Sequence, residues 1–159
     1  MASPASIAKH PIHPMLIVFP VGLWIFSLVS DVIYLMQWGT SVWREVALYT
    51  MIGGLVGALL AAIPGLADLL TISSARIRKI GVWHMSINLV VVALFALNIW
   101  MRMSGTASES LTVWLSVLGV VLLAVSGWLG GEMVYVHAVA VEPPAGGETE
   151  KQAAPRRVA

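Results

Sequence analysis

Hydrophobic residues in this chain do not recur at the period of an amphipathic helix or alternate as in a half-buried strand. They run on in four long blocks, 14–36, 46–67, 80–101 and 111–131, separated by short segments that hold most of the charged residues. A helix that is apolar on every side is surrounded by protein or by lipid. About 20 such residues, each rising about 1.5 Å, cross a hydrocarbon core about 30 Å thick. No water is available there to satisfy backbone N–H and C=O groups, so each block is expected to be a helix. The pattern predicts an all-α, integral membrane four-helix bundle in a single domain, residues 1–141, with helices at about 14–36, 46–70, 80–101 and 111–137.

Composition agrees. The chain has 159 residues, of which 58% are hydrophobic and 11% charged. Soluble domains run at about 45–50% apolar and about 25% charged. The first block is longer than the apolar core of a secretory signal, about 7–15 residues, and no small-residue cleavage site follows it, so it reads as a retained anchor. From Glu142 onward the chain turns to Pro, Gly, Glu, Lys and Arg. That stretch, 142–159, is too polar to order itself by burial and is expected to be a flexible, disordered cytoplasmic tail. There is no cysteine, which excludes disulfides, thiolate metal sites and cysteine nucleophiles. The basic residues are scattered along membrane edges, with no patch suited to nucleic acid.

The basic residues predict orientation. Lys9, Arg76, Arg78, Lys79, Lys151, Arg156 and Arg157, seven of the nine, fall on the side of the chain termini; Arg44 and Arg102 fall on the other. The positive-inside rule then places both termini in the cytoplasm, N-in and C-in, with the chain multi-pass in a bacterial inner membrane. Trp38, Trp43, Trp100 and Trp114 mark the outer rim and Trp83 the inner one. Small residues recur four apart in Gly53, Gly57 and Ala61, and again in Gly127 and Gly131. Such rows admit close helix packing within the chain, or the contact of a homodimer.

The chain has four histidines, His10, His13, His84 and His137, and all fall near the cytoplasmic ends of their blocks. Asp68 joins them at the end of the second helix, and Glu132 and Tyr135 stand close to His137. Ionisable groups at membrane depth are costly and usually functional or paired. Imidazole suits zinc, copper and iron, and serves as an axial ligand of haem. Asn88 follows His84 by four residues, on the same face, where it can orient a ligand. Two site readings follow: haem b held by two histidines, with His84 and His137 the best pair and His13 or His10 as replacements, or a Zn, Cu or Fe ion held by His10, His13, His84, His137 and Asp68. Asn88, Glu132 and Tyr135 form the supporting shell. The bland readings are that His10 and His13 cap the entry to the first helix, that Asp68 pairs with Arg76 or Arg78, and that Asp31 is a helix-contact residue.

The stretch His-Pro-Ile-His-Pro-Met-Leu-Ile-Val-Phe-Pro at 10–20 followed by Asp31, Ile-Pro-Gly-Leu-Ala-Asp at 63–68, His84 with Asn88, and Gly-Gly-Glu-Met-Val-Tyr-Val-His at 130–137 resemble the bacterial predicted membrane-protein family called domain of unknown function twenty-two thirty-one. The resemblance covers nearly the whole chain except the tail. It implies about four helices and a characteristic histidine set. Through members fused to Rieske-type iron–sulfur domains, it also implies a redox neighbourhood and a Rieske-type partner.

Three functions are in play. The first is a small membrane protein that binds haem b or a transition metal for electron transfer or redox support. The second is a proton or small-solute transporter using His84, Asp68 and Glu132. The third is an accessory subunit of the bilayer without a cofactor. No hydrolytic or transferase constellation is recognisable, so enzyme status leans to no.

Overall fold

The computed structural model describes residues 3–141; the expected tail, 142–159, lies outside them. A small hairpin of β1 (Ser6–Ile7) and β2 (His10–Pro11) leads into α1 (Ile12–Leu16), α2 (Val18–Leu35), α3 (Val42–Thr71), α4 (Ala75–Ser104) and α5 (Glu109–Gly131), the last extended by a π-helical turn, Glu132–Val136. Grouped into spans, these make four helices long and apolar enough to cross a membrane, of 24, 30, 30 and 28 residues. The second and third begin before the apolar blocks do. Arg44, Glu45, Arg76, Arg78 and Lys79 lie inside helices rather than in loops. Apolar runs stop where charge starts, but backbone hydrogen bonding continues, because long side chains at helix ends reach back to the interface.

The first span is broken at Ile17. Pro20 has no N–H to offer the carbonyl of Leu16, one helical repeat earlier, so the ladder lapses there and resumes as α2. Beyond that break α2 lies along α3 and α4 along α5, and contacts of α3 with α4 and of α2 with α5 close the bundle. We call the end that carries the hairpin and the π-helical turn the terminal end.

The centre is a cluster of Trp24, Met51, Val91, Phe95, Ile99 and Leu123. Trp24 stacks on Phe95 with ring centres 4.3 Å apart and planes 7° from parallel, and its Nε1 donates to the Met51 carbonyl at 3.2 Å. Glycine makes the room: a Cβ on Gly54 would sit 2.6 Å from the Trp24 indole, and one on Gly119 would sit 2.7 Å from the Phe95 ring. Gly53 and Gly57 do admit α2, through Leu23, Pro20 and Phe19. The expected row in the fourth helix does no such thing. Gly127 has nothing within 4 Å, and the nearest atoms to Gly131 belong to Tyr135. The inward face of α5 runs instead through Gly119, Leu123, Ser126 and Gly130, and Gly127 is rotated away from it.

At the end opposite the termini, polar groups tie three helices together. Arg102 on α4 donates to both oxygens of Asp31 on α2, at 2.7 and 2.6 Å, with side chains only 8% and 4% exposed. Arg102 Nε donates to Asn98 Oδ1 at 3.0 Å, and Asn98 donates to the Thr112 carbonyl and Ser116 Oγ of α5 at 2.8 and 2.9 Å. Ser27 Oγ adds a bond from α2 to the Ala47 carbonyl of α3 at 2.8 Å. Arg102 lies close enough to the helix end to reach water, yet it turns inward. Asp31 is thus a helix contact of a specific kind, a bidentate ion pair.

Removing one partner of such a pair leaves a buried charge uncompensated. We expect Asp31→Ala and Arg102→Ala each to lower unfolding free energy by about 3–5 kcal/mol, and the double change to leucine to recover most of the loss. Reversible unfolding in mixed micelles measures both. By the same assay Gly54→Ala, which drives a methyl into the Trp24 indole, costs about 1–3 kcal/mol, while Gly127→Ala leaves stability unchanged or slightly raised.

Candidate functional site: a histidine pair inside the bundle

The approach to the site is made by two prolines. Pro11 holds an extended backbone, φ −67° and ψ 128°, as the residue before α1, and Pro14 sits in the first turn, where its missing N–H costs nothing. Between them His13 projects onto α3. Its Nδ1 lies 2.8 Å from the Ala61 carbonyl. Pro64 withholds a donor from the carbonyl of Leu60, so α3 is one hydrogen bond short where the imidazole arrives. Gly65 supplies the space, since a Cβ there would stand 2.7 Å from His13 Nδ1.

His84 makes the matching arrangement between α4 and α5. Its Nδ1 lies 2.8 Å from the Ser126 carbonyl and 3.0 Å from Ser126 Oγ. A Cβ on Gly130 would meet the ring at 3.1 Å. Carbonyl oxygens only accept, so Nδ1 carries the proton in both neutral rings and Nε2 carries the lone pair. On His84 that lone pair takes a hydrogen bond from Asn88 Nδ2 at 3.1 Å. The two imidazoles stand edge to face, ring centres 6.3 Å apart and planes at 87°. His84 is nine residues into α4, about 14 Å along the helix. Counted from Lys79, the last cation of that helix end, His84 is five residues on, about 7.5 Å, so the pair stands near the terminal end of the apolar blocks.

The other expected site residues are elsewhere. His10 is exposed in the hairpin, its Nδ1 2.8 Å from the Ala8 carbonyl in its own turn. His137 follows the π-helical turn, with Nε2 3.8 Å from Glu132 Oε1 and, among the described residues, no hydrogen-bond partner although that atom is buried. Tyr135 points outward and is 90% exposed. Asp68 accepts from Ser3 Oγ at 2.5 Å, tying the start of the chain to α3. Neither cation expected to pair with Asp68 is bonded to it: Arg78 instead donates to the Ile72 carbonyl at 2.9 and 2.6 Å, capping the end of α3. Among the described residues no three histidine or carboxylate side chains are placed to hold one metal ion. The set of His10, His13, His84, His137 and Asp68 is thus not gathered, and His84 meets His13 rather than His137. The cause is rotation: a common depth on separate helices leaves side chains free to face different ways, about 100° per residue.

Sequence reasoning did not find Ser126, Ala61, Gly65 or Gly130 as parts of the site. The signal for the glycines was present in Pro64-Gly65 and Gly130-Gly131, but nothing local says that an imidazole from another helix fills the gap. A serine in an apolar block reads as helix glue, and a backbone acceptor such as Ala61 has no signature at all.

Comparison with curated proteins and with solved structures gives no match for this chain. A family model described as "Predicted membrane protein (DUF2231)" matches residues 9–143. That span takes in the His-Pro-x-His-Pro opening, all four helices and the Gly-Gly-x-x-Val-Tyr-x-His ending, and the chain belongs to this family of predicted membrane proteins.

Proposed function

We propose that this membrane protein binds haem b, with His13 and His84 as the axial ligands, and serves electron transfer. The reading rests on one observation: two imidazoles from different helices lie side by side inside the bundle, each with Nδ1 held by a backbone carbonyl. That second-sphere contact fixes a ring and makes Nε2 the better ligand. A protein-only zinc site takes three or four ligands, and the pair supplies two. Haem iron asks only two of the protein.

When bound, the haem supplies one-electron exchange. The work of the chain is to hold and shield it. The carbonyls of Ala61 and Ser126 keep both rings from turning. Asn88 releases the His84 lone pair by rotating its amide away. Among the described residues, Lys9, Arg76, Arg78 and Lys79, four of six basic side chains, lie toward the terminal end, which supports an orientation with both termini in the cytoplasm of a bacterium. The redox setting implied by the sequence resemblance supports an iron–sulfur protein of Rieske type as the partner. A transmembrane proton path has less in its favour, because the polar groups of the opposite end are engaged in the ion-pair network.

An optical spectrum of the full chain, expressed with ample haem and purified in mild detergent, tests the reading. One haem per chain and a Soret band are expected. His13→Ala and His84→Ala each remove the band, and His10→Ala and His137→Ala keep it. A colourless wild-type protein that stays colourless on titration with haem refutes the proposal and leaves the imidazoles as helix-to-helix hydrogen bonds.

A further inference from the structure

The first turn of α4, at the terminal end, carries three cations in four residues, Arg76, Arg78 and Lys79, and they are not equivalent. Arg78 is consumed in capping the Ile72 carbonyl. Arg76 and Lys79 make no hydrogen bond or ion pair among the described residues. With Ile80, Trp83, Ile87 and Leu129 they line a shallow, open cleft of about 410 Å³. Five of these six residues are on α4, at positions 76, 79, 80, 83 and 87, steps of three and four that form one stripe down the helix. Leu129 on α5 closes the other side.

The stripe is graded. Two free cations come first, then the exposed Trp83 indole, then aliphatic side chains. From residue 76 to residue 87 the helix rises about 16 Å, close to half of a hydrocarbon core about 30 Å thick. A charged head over an apolar trough of one leaflet's depth is the outline of a phospholipid. Basic pockets between spanning helices hold anionic headgroups by the same chemistry.

We propose that this cleft is a binding site for an anionic phospholipid, its phosphate between Arg76 and Lys79 and one acyl chain lying along α4 past Trp83 to Ile87. The site is separate from the histidine pair and stands whether or not haem binds. The lipid adds to the α4–α5 seam from outside, against Leu129, which is three residues from Ser126.

Native mass spectrometry of the full chain in mild detergent tests this, with phosphatidylglycerol and phosphatidylethanolamine of identical acyl chains as probes. Preferential retention of phosphatidylglycerol is expected. Arg76→Gln and Lys79→Gln each reduce that preference on the order of fivefold and the double variant abolishes it. Arg44→Gln, at the opposite end, preserves it. Ile87→Trp fills the trough while leaving both charges in place, and lowers retention of both lipids severalfold. Undiminished preference in a correctly folded double variant overturns the proposal. So does displacement of the lipid by millimolar glycerol 3-phosphate, which would make the ligand a soluble phosphate.

Discussion

A polar group inside this bundle has no water to turn to, and each one must find its partner on another helix or on its own backbone. That requirement organises the polar interior. At the opposite end it yields the chain of Asp31, Arg102, Asn98, Ser116 and Thr112, in which each side chain that enters the low-dielectric interior arrives already paired. At the terminal end it yields His13 on the Ala61 carbonyl and His84 on the Ser126 carbonyl. The two clusters differ in what they leave over. The ion pair saturates both its members. The imidazoles give one nitrogen to the backbone; the second nitrogen of His84 meets only the Asn88 amide, on its own helix.

Space is rationed by the same means at both levels. Four rings at helix contacts sit opposite a missing side chain: Trp24 over Gly54, Phe95 over Gly119, His13 over Gly65 and His84 beside Gly130. In lipid, helices gain little from hiding apolar surface from one another, and association depends on close packing and interhelical hydrogen bonds. Ring-into-gap contacts do this for the aromatic core and for the histidines alike. The histidine pair is therefore built with the packing of the bundle and not appended to it.

The spans were legible because they rest on a one-dimensional quantity, the run of apolar residues, and the bilayer thickness converts it to structure. Depth along a helix was legible, as His84 shows: its level follows from Lys79, and the start of α4 at Ala75 adds a turn beyond that cation without changing the spacing. Rotation was not legible. Gly127 and Gly131 have the spacing of a packing row but face away, and Gly119, which looks isolated, lies under Phe95. Arg102 was read as an outer basic residue, and its inward turn to Asp31 needed knowledge of which faces of α2 and α4 meet. His137 and His84 share a level in the sequence reading, yet His13 is the ring that His84 meets.

The lapse in the first span at Ile17 bears on how the imidazole of α1 is aimed. Ile17 keeps helical dihedrals, and its bonds to His13 and Val21 carry the axis through, so the one group left over is the Leu16 carbonyl, which faces the amide that Pro20 lacks. The first turn is anchored on three sides: by the span that follows it, by Ala61 of α3, and by the strand pairing of residues 6–7 with 10–11. An imidazole fixed at that junction reports on all three supports, and loosening any one of them would turn its ring.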